Sequence, residues 1–321
     1  MNHSSHSVLI SGAGQLGSRY LQGLAKCNLP LRIYVQDSFQ ESLDRSRHRW
    51  IEVMDSESIH EVTFHSFLEM LPKEIDITIV ATTADSRPEV VRDISRHAVV
   101  RFWVLEKVLA QSEAGLDEIV SLIGKKSKAW VNTPRRMMPW HQQIKSQLDL
   151  TNPVTLEVNG AEWGLACNAI HFLDLLAWWT DESLQTVSTD RLTSRWVESK
   201  RQGSWEIFGT LEAKYSGGSC AVLSDEDGKS TISLEANDDQ LSWLIEEVNG
   251  LSRRSDGVEI LGRMLFQSEM SGSLVTSLIE TGDCELPTLE ESVELHRVFI
   301  GSMLGHWKKT VDIAATAIPI T

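Results

Sequence analysis

The sequence is short of several things. It has four cysteines, Cys27, Cys167, Cys220 and Cys284, far apart and with no CxxC pair. That spacing excludes a disulfide framework and a zinc site built on paired cysteines, and it suits a reducing compartment. No apolar run approaches the roughly 18 residues that cross a bilayer. The opening stretch MNHSSHS has no apolar signal core. A soluble, cytoplasmic protein with no membrane partner and no bound metal is expected. Positive charge is scarce too: 30 Lys and Arg stand against 45 Asp and Glu, for a formal net charge of -15. Such a chain repels phosphate backbones, so nucleic-acid binding would need a local basic patch. The candidate, Arg45, Arg47, His48 and Arg49, reads as a solvated helix face, and no nucleic-acid partner is expected. Internal repeats and low-complexity segments are absent. What is present is 41% hydrophobic residues, enough for a substantial core in two domains.

Up to about residue 131, strands and helices alternate. Apolar runs at 8–11, 31–36, 76–82 and 99–105, with a weaker one near 62–65, read as strands. Helical patterns lie at 15–26, 39–49, 88–97 and 112–124. The runs at 76–82 and 99–105 are nearly continuous, which suits strands covered on both faces, as in a parallel sheet. This pattern predicts an α/β Rossmann domain, doubly wound, over residues 1–131. After about residue 150, strand-like runs follow one another at 154–160, 205–215, 219–223, 230–235 and 241–248. Turn signals such as Ser216-Gly217-Gly218 separate them. Long helices are expected at 168–179, 267–281 and 288–307. Residues 132–321 are therefore expected to form an α+β domain with a large, mostly antiparallel sheet.

Residues 12–17 read Gly12-Ala13-Gly14-Gln15-Leu16-Gly17. A lone GxGxxG is weak. Here it follows a predicted strand, opens a predicted helix and precedes Asp37 at the end of the second strand. That context is the dinucleotide fingerprint. Gly12 permits the tight turn, Gly14 lets a pyrophosphate approach the backbone, and Gly17 lets helix and strand pack closely. The helix N-terminus favours phosphate. Asp37 would accept from the adenosine ribose and repel a 2′-phosphate, which selects NAD rather than NADP.

The stretch FWVLEKVLA, 102–110, sets Glu106 and Lys107 at the end of a buried strand. Ligands of open α/β sheets bind at the carboxyl ends of the strands. Lys107 there suits proton exchange with a hydroxyl while a hydride moves. On position alone a surface Glu-Lys pair is an equal alternative.

GAGQLG, Asp37, IVATTADSR at 79–87 and LEKVL at 105–109 occur in an order that resembles the glucose–fructose oxidoreductase, inositol dehydrogenase and MocA family. The resemblance implies that Lys107 is catalytic and meets both cofactor and substrate, and that Glu106 and Thr82 belong to the cofactor site. The family's EKP motif is matched at Glu106-Lys107, with Val108 in place of the proline. Its T-P-N-x-x-H segment keeps only Thr82. CNAIHFLDLLAWW, 167–179, resembles the family's D-x-G-x-H-x-x-D helix, with His171 and Asp174 matched and Cys167 in place of Asp. LPTLEESVELHRVF at 286–299 extends the likeness. The closing PIT and the wording ACNAIHFLDL are similar to a branch that accompanies bacterial surface-sugar synthesis. The family further implies a homo-oligomer, dimer or tetramer, through the second domain's sheet.

Helix 168–179 is apolar nearly all round and so should be buried. His171 and Asp174 share a face, with Asn168 one turn before His171. Buried polar groups need partners. Asn168 and His171 are candidates to take theirs from a substrate, and Asp174 to hold the helix against the nucleotide domain. Without the resemblance, a satisfied core histidine is the simpler reading. Trp163 is a candidate to stack on a sugar ring and Arg136 to meet an anionic group. Together these residues predict an NAD-dependent sugar dehydrogenase, with catalytic Lys107, His171 and Asn168. Two alternatives stand beside it: a dinucleotide-binding regulatory protein without turnover, and a glycosidase using NAD through transient oxidation. Cys167 is expected to be a small packing residue, with the polar role passed to Asn168.

Overall fold

The structure is a computed structural model, and it describes residues 5–55, 58–238 and 240–321. Residues 1–4, which open the MNHSSHS stretch, lie outside the described residues. The chain divides into two compact units. The first comprises Met1–Leu109, Asp117–Asn132 and Leu265–Leu289; the second comprises Ala110–Leu116, Thr133–Met264 and Glu290–Thr321.

In chain order the elements up to the end of the first sheet are β1 (His6–Ser11), α1 (Gln15–Leu24), β2 (Leu31–Gln36), α2 (Gln40–Ile51), β3 (Glu61–His65), β4 (Glu74–Val80), α3 (Arg87–His97), β5 (Val99–Leu105), α4 (Glu113–Ile123) and β6 (Lys128–Val131). The strands form one sheet in the order β3-β2-β1-β4-β5-β6. All its pairings are parallel. The order reverses between β1 and β4, the switch point at which doubly wound sheets bind ligands. The near-continuous apolar runs are explained by burial on both faces: Val8, Leu9, Ile10, Ile77, Ile79, Val104 and Leu105 are fully buried.

The chain returns to the first unit late, through α7 (Gln267–Thr281), which packs on α1. The approach is close. A Cβ on Gly23 would stand 2.7 Å from Ser271 Cβ, and one on Gly272 would stand 3.0 Å from the Gly23 carbonyl oxygen. A sequence boundary at 131/132 gives no hint of this return.

The second unit contains α5 (Pro139–Lys145), β7 (Thr155–Ala161), α6 (Leu165–Thr180), β8 (Leu184–Glu198), β9 (Trp205–Tyr215), β10 (Cys220–Glu226), β11 (Ser233–Asn237), β12 (Ser242–Glu246), β13 (Leu251–Arg254), β14 (Glu259–Leu261) and most of α8 (Leu289–Thr310). Its eight strands run β14-β13-β12-β11-β7-β10-β9-β8. Every pairing is antiparallel except β7 with β10. Burial along β7 alternates, as expected for a sheet covered on one face. The cover is α6, packed on β9 and β10. The Tyr215 hydroxyl donates to the Leu173 carbonyl of α6 at 2.9 Å.

The edge strand β8 was not anticipated. Its buried residues Leu184, Val187, Leu192 and Trp196 do not alternate, because its pairing with β9 slips in register at three places. Bulges of this kind erase the period-2 signal. The short β13 and β14 also escape sequence reading, and β11 lies slightly later than the run at 230–235.

Candidate active site

In the first unit the glycine turn connects β1 to α1. Gly12 has φ +93°, and a Cβ there would meet the Ala81 carbonyl carbon at 2.9 Å. A Cβ on Gly17 would stand 1.8 Å from the Gly12 oxygen, so no other residue fits. Around Gly14, by contrast, there is open space. The Asp37 carboxylate accepts from the Ala13 N–H at 2.7 Å and from the Phe39 N–H at 2.8 Å, which fixes it beside the turn. The first intrahelical bond of α1 is Ser18 N–H to the Gly14 oxygen. The N–H groups ahead of it face outward from the helix start, and the first turn carries no acidic residue to compete with phosphate. After β4, the Thr82 Oγ1 is buried without a hydrogen-bond partner. An open backbone approach at Gly14, a helix start free of acid and an unsatisfied hydroxyl at the switch point fit a dinucleotide.

One basic residue differs from its sequence reading. Arg49 does not simply face solvent: it donates to the Gln15 carbonyl at 3.0 Å and to Ser18 Oγ, which attaches α2 to the glycine helix. Burial, with Arg19 and Arg45 nearby, pushes its pKa down.

Glu106 and Lys107 part company. Glu106 is buried, and its Oε1 accepts from the Tyr20 hydroxyl at 2.6 Å and from Asn132 Nδ2 at 2.6 Å. The same Asn132 nitrogen donates to Gln267 Oε1 at 2.9 Å, tying in α7. Burial and the Glu106 charge push the Tyr20 hydroxyl pKa well up. Lys107 is the only residue of 102–110 that is not buried. Its peptide bond to Val108 is cis. The pair is therefore one buried anchor and one half-buried lysine.

In the second unit, α6 begins at Gly164, with φ +80°. Two carboxylates meet its first turn. Asp225 accepts from the N–H groups of Trp163, Gly164 and Leu165 at 3.2, 2.9 and 3.1 Å. Glu206 accepts from the Ala166 N–H at 2.9 Å and from the thiol and backbone of Cys167. Burial pushes both carboxyls up, and these donors pull them back. Asn168 Nδ2 donates to the Trp163 carbonyl at 2.7 Å. The Trp163 indole donates to the Ser224 carbonyl at 2.8 Å and stands edge-on to Phe172. His171 follows, half-buried. The sequence places Asn168, Trp163 and His171 at this helix start, and all three lie there. It missed Glu206 and Asp225, which sit on β9 and β10 with no local signal.

One expectation for this unit is corrected. Asp174 was expected to hold α6 against the nucleotide domain, but its partners belong to the second unit. Arg136 pairs with it at 3.0 and 2.7 Å, and the Thr133 hydroxyl donates at 2.8 Å. Arg136, the candidate to meet a substrate anion, pairs in this way with Asp174 and, at 3.7 Å, with Glu291. It borders a cavity of ≈ 520 Å³ whose lining includes neither Asn168 nor His171. Its neighbour Arg135 grips Glu247 with two bonds of 2.7 Å, and His141 reaches the same carboxylate at 2.9 Å. Burial would raise the Glu247 pKa, but Arg135 and His141 hold it well below the usual carboxylate range.

No protein-family model matches the chain, and no curated protein matches it by sequence. Solved structures do. UDP-N-acetylglucosamine 3-dehydrogenase GnnA from Acidithiobacillus ferrooxidans superposes with a TM-score of 0.71 at 14% identity, over 96% of this chain and 98% of that one. The fold is that of the glucose–fructose oxidoreductase, inositol dehydrogenase and MocA proteins. Scyllo-inositol dehydrogenase from Lactobacillus casei, solved with NAD(H) and scyllo-inositol, gives a TM-score of 0.69 at 14% identity over 95% of this chain and 98% of that one. The transcriptional regulator Gal80p from Kluyveromyces lactis gives 0.73 at 14% identity, over 96% and 91%. At these identities the likeness establishes the fold, which enzymes and a regulator share.

Proposed function

We propose that the protein is an NAD-dependent oxidoreductase that acts on a sugar or sugar derivative at a ring CH–OH or its ketone. The observation that carries this reading is Lys107. It is the one residue of 102–110 that is not buried, at the carboxyl end of a parallel sheet whose strand order reverses beside the glycine turn. A bound nicotinamide supplies the hydride chemistry. Gly12, Gly14, Gln15, Leu16 and Gly17 present the turn and helix start to the pyrophosphate. Asp37 accepts from the adenosine ribose, and Thr82 offers its hydroxyl to the cofactor. Glu106 fixes the backbone from which Lys107 extends. Lys107 Nζ takes or returns the hydroxyl proton of the substrate. His171 and Asn168 hydrogen-bond sugar hydroxyls, and Trp163 offers an indole face. Arg136, held by Asp174 at the border of a cavity, remains the candidate to meet an anionic group of the substrate.

The dehydrogenases among the solved likenesses support a sugar-type substrate, since two of them are named for an amino-sugar nucleotide and an inositol. We place the protein in the cytoplasm, in keeping with its free cysteines, and as a homo-oligomer through the second unit's sheet. Among the described residues no helix is long and apolar enough to cross a membrane. The test is a screen of free and nucleotide-linked sugars with NAD, following the absorbance of the reduced cofactor. Turnover in step with NAD reduction is the expected result.

The likeness to Gal80p favours a second reading, a dinucleotide-responsive regulator. The departures at Val108 and Cys167 point the same way. NAD binding without turnover of any sugar in that screen would decide for it.

A further inference from the structure

Arg87 is 1% exposed, an unusual place for a guanidinium. It lies at the start of α3, and its side chain reaches three backbone carbonyls in two different loops. Nη2 donates to the Thr82 oxygen in the loop after β4. Nη1 donates to the Val108 oxygen and, at 3.0 Å, to the Leu109 oxygen, in the segment after β5. Its positive charge is also felt at Tyr20, the hydroxyl that holds Glu106. Lys107 thus stands between two buried clamps of opposite sign. Glu106 is fixed from one side by Tyr20 and Asn132, and Val108 and Leu109 are fixed from the other by Arg87. A valine at 108, unlike a proline, does not set its own φ, so the grip on its carbonyl is what restrains the backbone there. Only a guanidinium has donors spread widely enough to span both loops; a lysine ammonium is a single point.

We propose that Arg87 is a positioning residue that ties the loop after β4 to the Lys107 segment, so that a dinucleotide seated against Thr82 also fixes where the Lys107 amine stands. This rests on the cofactor reading above. It adds a coupling: occupation of the cradle and orientation of the proton-exchanging group are one event, transmitted through the carbonyls of residues 82, 108 and 109. The sequence offers no sign of it: Arg87 closes the stretch IVATTADSR, and the carbonyls it reaches after β5 lie 21 and 22 residues away.

Hydrogen exchange on the full chain tests the tie in two ways. In the nucleotide-free protein, Arg87→Lys should speed amide exchange in Leu105–Leu109 together with Thr82–Ala84, by about tenfold for a coupling of ordinary size, while β1 and β2 stay protected. Faster exchange confined to residues 82–87 would overturn the proposal. In the unaltered protein, which removes any doubt about folding of a variant, saturating NAD should slow exchange in Leu105–Leu109 with the same dose dependence as in Thr82–Ala84. Protection of Gly12–Gly17 and Thr82–Ala84 without Leu105–Leu109 would refute the coupling and leave the cofactor reading intact. No protection at Gly12–Gly17 would instead sink the cofactor reading, and the nucleotide-free arm would then decide on the tie alone. A third readout separates positioning from mere stability: the rate of Lys107 acetylation, resolved by mass spectrometry across pH. NAD should alter that profile in the unaltered protein and not in Arg87→Lys. A purely structural arginine would lower the melting temperature and leave the effect of NAD on Lys107 unchanged.

Discussion

The Tyr20 hydroxyl donates to the Glu106 carboxylate at 2.6 Å across 86 residues of sequence. With Asn132 as second donor, the carboxylate is a buried joint linking α1, the end of β5 and the end of β6. Glu106→Leu strands both donors in the interior, which typically costs about 1–3 kcal/mol for each unsatisfied group. Glu106→Gln keeps an acceptor oxygen and should cost less. Urea denaturation of the two variants checks this. Equal destabilisation would show that the joint does not depend on the acceptor.

Lys107→Ala should remove most turnover while NAD still binds. General acid–base catalysis is commonly worth about a hundredfold to ten-thousandfold in rate. Steady-state kinetics on a sugar identified in the screen, beside calorimetry with NAD, reads both quantities. Near-normal turnover would take Lys107 out of the mechanism.

Asp37 should make NAD(H) bind more tightly than NADP(H). Its two oxygens are held by the Ala13 and Phe39 N–H groups with lone pairs to spare for a ribose hydroxyl, whereas a 2′-phosphate would meet a fixed negative charge. Titration of both cofactors by calorimetry is decisive. A preference for NADP(H) would mean that Arg49 and its cationic neighbours outweigh the carboxylate.

Stability should fall on acidification. Burial lowers the pKa of His141 from its ordinary 6.5, and it does the same for His60 and His65. A histidine whose folded pKa is depressed is protonated first in the unfolded chain, so stability declines as pH drops below about 6.5. Glu247 adds to the trend lower down. Its folded pKa is depressed from 4.5, so its contribution is full above that value and is lost as pH falls further. Denaturation midpoints at pH 7.5, 6 and 5 should decrease in that order. His141→Gln should flatten the step between 7.5 and 6; an unchanged slope would assign the effect to the other histidines.

At the start of α6, Cys167→Ala should barely affect turnover, whereas Asn168→Ala and His171→Ala should each reduce it strongly with the fold intact. The thiol is buried and donates to Glu206, so thiol-blocking reagents should react slowly there. Loss of activity in Cys167→Ala equal to that in His171→Ala would place the thiol in the chemistry.

The inner strands of the first unit's sheet were legible because they are covered on both faces and therefore spell out continuous apolar runs. The glycine turn was legible because its geometry admits few residues. Lys107 stood out as a charge at the end of such a run. What stayed hidden is long-range. The partners of Arg135 and Arg136 lie 112 and 38 residues away, so nothing near them in sequence marks them as ion-paired rather than ligand-facing. Glu206 and Arg87 are likewise ordinary charged residues until the fold brings carbonyls or a helix start to them. The β8 strand was lost to its own bulges.

The packing of Gly23 against Ser271 and Gly272 bears on the order in which the protein is made. The helix that packs on the face of α1 leaves the ribosome only after the whole eight-stranded sheet. The first unit must therefore wait, with that face of α1 uncovered, while the eight-stranded sheet is synthesised. A fragment cut at residue 132 would be left permanently in that unfinished state. A circularly permuted chain that places 265–289 ahead of β1 would instead give the nascent first unit its missing helix from the outset.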